Sequence, residues 1–98
     1  MYSEESIAAL KEKVSIKELV ERYTELKPRG RDYWGCCPFH KEKTPSFKVA
    51  PEKGTWYCFG CQEGGDAIDF VMKIENLGFS EAAEKLASMV GATLEKRD

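Results

Sequence analysis

A chain of 98 residues, 42% hydrophobic and 33% charged with a formal net charge of −2, fits one small soluble domain over residues 1–98. A domain this short buries a modest share of its surface and gains from an added staple. No apolar run approaches the roughly 18 residues of a membrane span, and Met1-Tyr2-Ser3-Glu4-Glu5 lacks both the basic and the apolar segment of a signal peptide, so a cytosolic setting without a membrane partner is expected.

The near-neutral total argues against a nucleic-acid binder, but the charge is unevenly spread. Residues 1–26 carry four Lys/Arg against six Asp/Glu, and residues 54–98 carry four against eight. Between them, residues 27–53 carry seven against three. A solvated loop region rich in lysine and a basic binding surface both fit that concentration.

In chain order, residues 3–13 predict a short helix, with Ser3 as N-cap, Glu4 and Glu5 in the first turn, and Ile7, Leu10 and Val14 at helical spacing. Ser15 and Glu18 predict a capping box for a second helix carrying Ile16, Leu19, Val20 and Tyr23 on one stripe. With no linker between them, the two are expected to form a helical hairpin. Pro28 and Gly30 then bracket a turn, and Asp32-Tyr33-Trp34 reads as a strand. Alternation sets Arg31, Tyr33 and Gly35 on one face and Asp32, Trp34 and Cys36 on the other, and Trp34 is assigned to the core.

After the hydrophilic loop His40-Lys41-Glu42-Lys43-Thr44-Pro45, Ser46–Val49 and Thr55–Cys58 predict two strands joined by a turn over Pro51-Glu52-Lys53-Gly54. Asp66 caps a helix through Ile68, Val71 and Met72 to about Asn76, broken by Gly78. Ser80 is expected to cap a last helix with Ala83, Leu86, Ala87 and Val90 on one side and Gly91 as its stop. The class is α+β: a small ribbon of three or more short antiparallel strands, flanked by N-terminal and C-terminal helix pairs.

The strongest signal is Cys37-Pro38-Phe39-His40 and Cys58-Phe59-Gly60-Cys61, separated by 17 residues. Two x₂-spaced pairs, each curled by its own turn, suit a tetrahedral zinc held by three thiolates and one imidazole. Gly60 is the residue without Cβ that such a turn favours. Four protein ligands leave no place for water, so one structural Zn²⁺ and no catalytic residue are expected. Cys36 offers an alternative x₃ pairing with His40, but the matched x₂ spacing and Pro38 favour Cys37 and leave Cys36 as a small buried hydrophobe.

Two catalytic readings fit less well. Cys58-x-x-Cys61 as a redox pair would want a helix starting inside the motif, and Gly64-Gly65 intervenes. His40-Lys41-Glu42 with Cys58-x-x-Cys61 echoes a zinc deaminase with Glu42 as general acid/base. There, however, Cys37 would fill the water's position, Tyr57 stands where that signature has proline, and Thr44-Pro45 stands where it has a helix.

The run Tyr33-Trp34-Gly35-Cys36-Cys37-Pro38-Phe39-His40-Lys41-Glu42-Lys43-Thr44-Pro45-Ser46-Phe47, with Tyr57-Cys58-Phe59-Gly60-Cys61 and Gly64-Gly65-Asp66, closely resembles the CHC2-type zinc-binding domain at the N-terminus of bacterial replicative DNA primases. The likeness covers nearly the whole chain, departing at Gln62, where the family usually has glycine. It implies a zinc ribbon with ligands Cys37, His40, Cys58 and Cys61, whose exposed sheet recognises single-stranded DNA template. That template passes to a primase RNA polymerase domain, in cis or in trans, beside the replicative helicase complex. Positions matching the basic DNA-contacting surface are Lys27, Arg31 and Lys43, with Tyr33 and Lys53, and Arg29 joins them as a phosphate contact. The polymerase activity, a nucleotidyl transfer, would belong to the full-length enzyme, since no acidic metal-binding constellation of that kind is expected here. A zinc ribbon used only for protein–protein contacts remains the alternative.

Overall fold

The computed structural model describes residues 2–39 and 44–95. Their order is α1 (Glu4–Lys13), α2 (Ile16–Glu21), β1 (Lys27–Arg29), β2 (Asp32–Gly35), β3 (Phe47–Ala50), β4 (Thr55–Cys58), β5 (Glu63–Asp66), α3 (Ala67–Glu75) and α4 (Phe79–Val90). The strands form one antiparallel meander, each paired with its neighbours in chain order.

The Ser3 side chain caps α1 by accepting from the Ser6 N–H, and that of Ser15 caps α2 by accepting from the Glu18 N–H, which is half of the expected capping box. The two helices do not make the expected hairpin with each other. Val14 and Ser15 are both extended, and this two-residue break redirects the chain so that α1 lies against α4 and α2 against β3. Helix α2 also stops at Glu21, so Tyr23 falls beyond it, exposed, with its ring 5.6 Å from that of Phe70.

Two strands beyond the expected three extend the ribbon. Strand β1 pairs Lys27 with Trp34, Pro28 with Tyr33 and Arg29 with Asp32. Pro28 is tolerated because β1 is an edge strand, where a missing N–H need not be replaced. Gly30 supplies the positive φ, 68°, that a two-residue hairpin needs at its first central position. Strand β5 pairs Gly64 with Tyr57 and Gly65 with Trp56. Gly65 is required by a close approach: a Cβ there would lie 2.6 Å from the Asp69 side chain. That side chain accepts from the Asp66 N–H at 3.0 Å while Asp66 accepts from the Asp69 N–H at 3.0 Å, a full capping box at the start of α3.

Helix α3 ends on Asn76 in the left-handed region, and the Leu77 N–H returns to the Met72 carbonyl at 3.0 Å. This closure starts α4 two residues earlier than Ser80 predicts. Gly78 is the N-cap, without a side-chain bond, and Ser80 sits inside the first turn. Gly91 ends α4 as expected, at φ 68°.

The core lies between one face of the sheet and the helices. Phe47, Val49 and Trp56 project into it, Phe70 and Ile68 of α3 meet them, and Ala82, Ala83 and Leu86 of α4 close behind. Phe39, Phe47, Trp56 and Phe70 form an aromatic nest with neighbouring centroids 5.2–6.1 Å apart, the offset and edge geometry that aromatic pairs favour. The Trp56 indole N–H is satisfied by the Asp66 carbonyl at 2.8 Å.

Asp66 therefore joins sheet, α3 and α1, where Lys11 pairs with its carboxylate at 2.9 Å. Burial would raise its carboxyl, but the Asp69 N–H and the Lys11 ammonium outweigh that and hold it below its usual range. A depressed carboxyl contributes stability that is present above its unfolded pKa, about 4, and lost as pH falls through the folded value. Asp66→Asn is therefore expected to lower stability at pH 7 and to flatten its decline below about pH 4, as read by urea unfolding at a series of pH values.

Candidate metal centre and nucleic-acid interface

The β2–β3 connection and the β4–β5 turn leave the same end of the sheet, and they bring Cys37, Cys58 and Cys61 together with their Sγ atoms all within 4.8 Å of one another. The Cys37 and Cys61 sulfurs are 3.7 Å apart. A tetrahedral zinc with Zn–S bonds of about 2.3 Å has an S···S edge of about 3.8 Å, so this donor set fits the ion. Cys36 lies outside the cluster and is half-buried, less covered than the small buried hydrophobe expected there. His40, with Lys41, Glu42 and Lys43, lies outside the described residues.

The second turn is shaped by its backbone. The Gln62 N–H donates to the Cys58 carbonyl at 2.7 Å, the Phe59 N–H to the Ser46 carbonyl at 2.9 Å, and the Cys61 N–H to the Cys58 sulfur at 3.4 Å. A left-handed residue of this turn is Gln62, at φ 59°. Glycine would occupy that conformation without the roughly 1–2 kcal/mol a side chain costs there, which gives the departure from glycine at this position a physical meaning.

The electrostatics suit a cation among the sulfurs. Burial pushes the Cys37 thiol up to about 12. Cys61 is raised as well, first by burial and then by its contact with Cys58. For Cys58 burial acts in the same sense, but the Cys61 N–H, the neighbouring thiols and the Ser46 hydroxyl outweigh it and hold that thiol below its ordinary value. Neighbouring thiols resist ionising together unless a positive ion lies between them.

The sheet has two unlike faces. Register sets Lys27, Trp34, Lys48, Tyr57 and Gly64 in one row across all five strands, on the face opposite Phe47, Val49 and Trp56. Trp34 is therefore on the outer face, half-buried, and not in the core as expected: its strand partners are Lys27 and Lys48, while the inner positions are filled by Tyr33, Val49 and Phe47. Its ring stacks on Phe59 at 5.6 Å and 9°, and Tyr57 meets Phe59 edge-on at 4.8 Å. The Arg29 guanidinium lies 5.2 Å from the Trp34 ring. Tyr57 and Phe59 remain 39% and 53% exposed, an unusual degree for adjacent large aromatics.

Of the other candidate contacts, Lys27, Arg29 and Arg31 are exposed on the β1–β2 hairpin, and Lys53 is exposed in the β3–β4 turn. Tyr33 falls on the inner face, packed against the core with the Lys17 ammonium 4.9 Å from its ring. Sequence reasoning missed Tyr57, Phe59 and Lys48 as members of the outer face. The signal was available for Lys48, since Phe47 and Val49 alternate with it, and its ammonium pairs with Asp32 at 3.4 Å. Phe59 was hidden because it stands inside a ligand turn, where no strand alternation assigns a face.

The CHC2 zinc finger family matches residues 2–98. The chain is 50% identical over 91 residues to a DNA primase of Geobacillus stearothermophilus, covering 93% of this chain and 15% of that protein. It is 52% identical over 93 residues to a DNA primase of Streptomyces coelicolor, covering 94% and 14%. The crystal structure of the Aquifex aeolicus primase, comprising zinc-binding and RNA polymerase domains, superposes with a TM-score of 0.84 at 41% identity, over 92% of this chain and 22% of that one. The chain thus spans about one-seventh of the length of these curated relatives, and it belongs to the CHC2 zinc finger family as a primase-type zinc-binding domain.

Proposed function

We propose that residues 1–98 form one module that holds a single structural Zn²⁺ on Cys37, His40, Cys58 and Cys61 and reads single-stranded DNA template for a DNA primase. The observation that carries this reading is the outer face: Trp34, Phe59 and Tyr57 form a partly exposed aromatic platform bordered by Lys27, Arg29 and Lys48. Unpaired bases stack on such platforms for about 1–3 kcal/mol each, while basic side chains follow the phosphates. Arg31 and Lys53 extend the basic rim at the end of the sheet away from the cysteines, and Lys43 is assigned to it by family resemblance. Tyr33 acts from the inner face, as support for β2.

In this reading the chain has no catalytic residue. The RNA polymerase domain of the same or a neighbouring primase takes the template and makes the primer, beside the replicative helicase at a cytoplasmic fork. Among the described residues no helix is long and apolar enough to cross a membrane.

Zinc supplies the cross-link between the two ligand turns. Binding energies of about 10–16 kcal/mol in finger peptides equal or exceed the whole stability of a small domain. The purified chain is therefore expected to carry one zinc, and chelation is expected to abolish the cooperative thermal transition of the sheet. A circular dichroism melt unchanged by chelator counts against the structural role.

Template binding is tested by titrating the zinc-loaded chain with short single-stranded oligonucleotides by fluorescence anisotropy. Affinity should fall with salt at a log–log slope of about −0.7 per phosphate contacted. Phe59→Ala should weaken binding by about 1–3 kcal/mol, and Arg31→Ala should lower both the affinity and the slope. No binding by the zinc-loaded chain at low salt would favour a ribbon that serves protein contacts only.

A further inference from the structure

Lys73, on the second turn of α3, reaches both ligand turns with one side chain. Its ammonium lies 5.4 Å from the centroid of the Phe39 ring, two residues after Cys37. It also pairs with the carboxylate of Glu63, two residues after Cys61. Lys73 and Cys61 line the same cleft, together with Pro38, Phe39 and Ile74. Other lysine ion pairs among the described residues, Lys11–Asp66, Lys17–Glu21, Lys85–Glu75 and Lys48–Asp32, lie on the helices, at the start of α3 and on strands β2 and β3, away from the ligand turns.

A divalent ion bound by three thiolates and one neutral imidazole leaves a centre of net charge −1, and a nearby ammonium offsets it. Glu63 partly neutralises Lys73, but its carboxylate is the more exposed partner, 50% against 37%, so solvent screens it more strongly. Groups outside the ligand set commonly govern how tightly a metal is held. We infer that Lys73 is a positioning residue of the metal centre: it fixes the two ligand turns against each other and lowers the nucleophilicity of the zinc-bound Cys61 thiolate. The inference rests on the zinc reading above.

The test compares zinc-loaded wild type, Lys73→Met and Lys73→Arg, with metal content measured first. Each protein is treated with N-ethylmaleimide, which alkylates thiolate sulfur, and the released zinc is followed with a chromogenic chelator. Lys73→Met is expected to release zinc about three- to tenfold faster, near or below the low end of outer-shell effects because the ammonium is partly solvated. The difference should shrink as salt rises. Lys73→Arg keeps the charge, the ring contact and the carboxylate partner, so its rate should stay within about twofold of wild type. Release from Lys73→Met at the wild-type rate overturns the inference, as does release from Lys73→Arg as fast as from Lys73→Met. A wild-type chain that retains no zinc overturns the metal reading and this inference together, and the initial metal measurement separates that failure from the other two.

Discussion

The convergence of three thiols at one end of the sheet is the constraint on which the rest of this structure depends. Strands β2 to β5 are each four residues long, and eleven residues separate β2 from β3. Ladders this short hold register weakly by themselves, and loop closure costs entropy before the strands return it. Bringing Cys37 beside Cys58 and Cys61 links the β2–β3 connection to the β4–β5 turn, so one cluster bounds the ends of all four strands. At the other end, Gly30 and Gly54 turn their hairpins with φ of 68° and 67° and need no side-chain chemistry.

That arrangement lets the two faces of the sheet specialise. Phe47, Val49 and Trp56 are at most 4% exposed and supply burial against α3. On the opposite face Trp34, Phe59 and Tyr57 contact one another, and the Arg29 guanidinium lies over the Trp34 ring. The charge is sorted to match: among the described residues of 27–53, Lys27, Arg29, Arg31, Lys48 and Lys53 lie on the ribbon against Asp32 and Glu52, while the stretches that supply the helices are net acidic. A net charge of −2 therefore says little about the surface a ligand would meet.

Much of this was legible in the sequence because local chemistry and tertiary role coincide. Ser3, Ser15 and Asp66 read as caps and are caps, and the Pro51–Gly54 turn joins the two strands expected around it. The failures share a cause. Pro28 in β1 and Gly64-Gly65 in β5 read as punctuation, because edge strands tolerate residues that a central strand excludes, and nothing local marks an edge. Alternation separates Trp34 from Tyr33 but does not say which of the two faces is the inner one; that is decided by Lys27 and Lys48, strand partners that only the pairing register reveals. The end of α2 before Tyr23 and the start of α4 at Phe79 were likewise fixed by backbone closures, the Tyr23 and Leu77 N–H groups returning to Val20 and Met72. Side-chain patterning carries no record of such closures.

Phe59 shows why an ion that touches no substrate can still govern recognition. It stands between Cys58 and Cys61, its N–H is held by the Ser46 carbonyl, and its ring lies between Trp34 and Tyr57. Its backbone belongs to the metal centre and its side chain to the outer face. Any displacement of the ligand turn therefore moves the middle ring of the platform. Stacking a flexible strand costs less when the rings are already set at their spacing, since the ordering is paid during folding and not at binding. On the proposed reading, zinc acts through that geometry: it contributes preorganisation, and it does so through a residue that the two functions share.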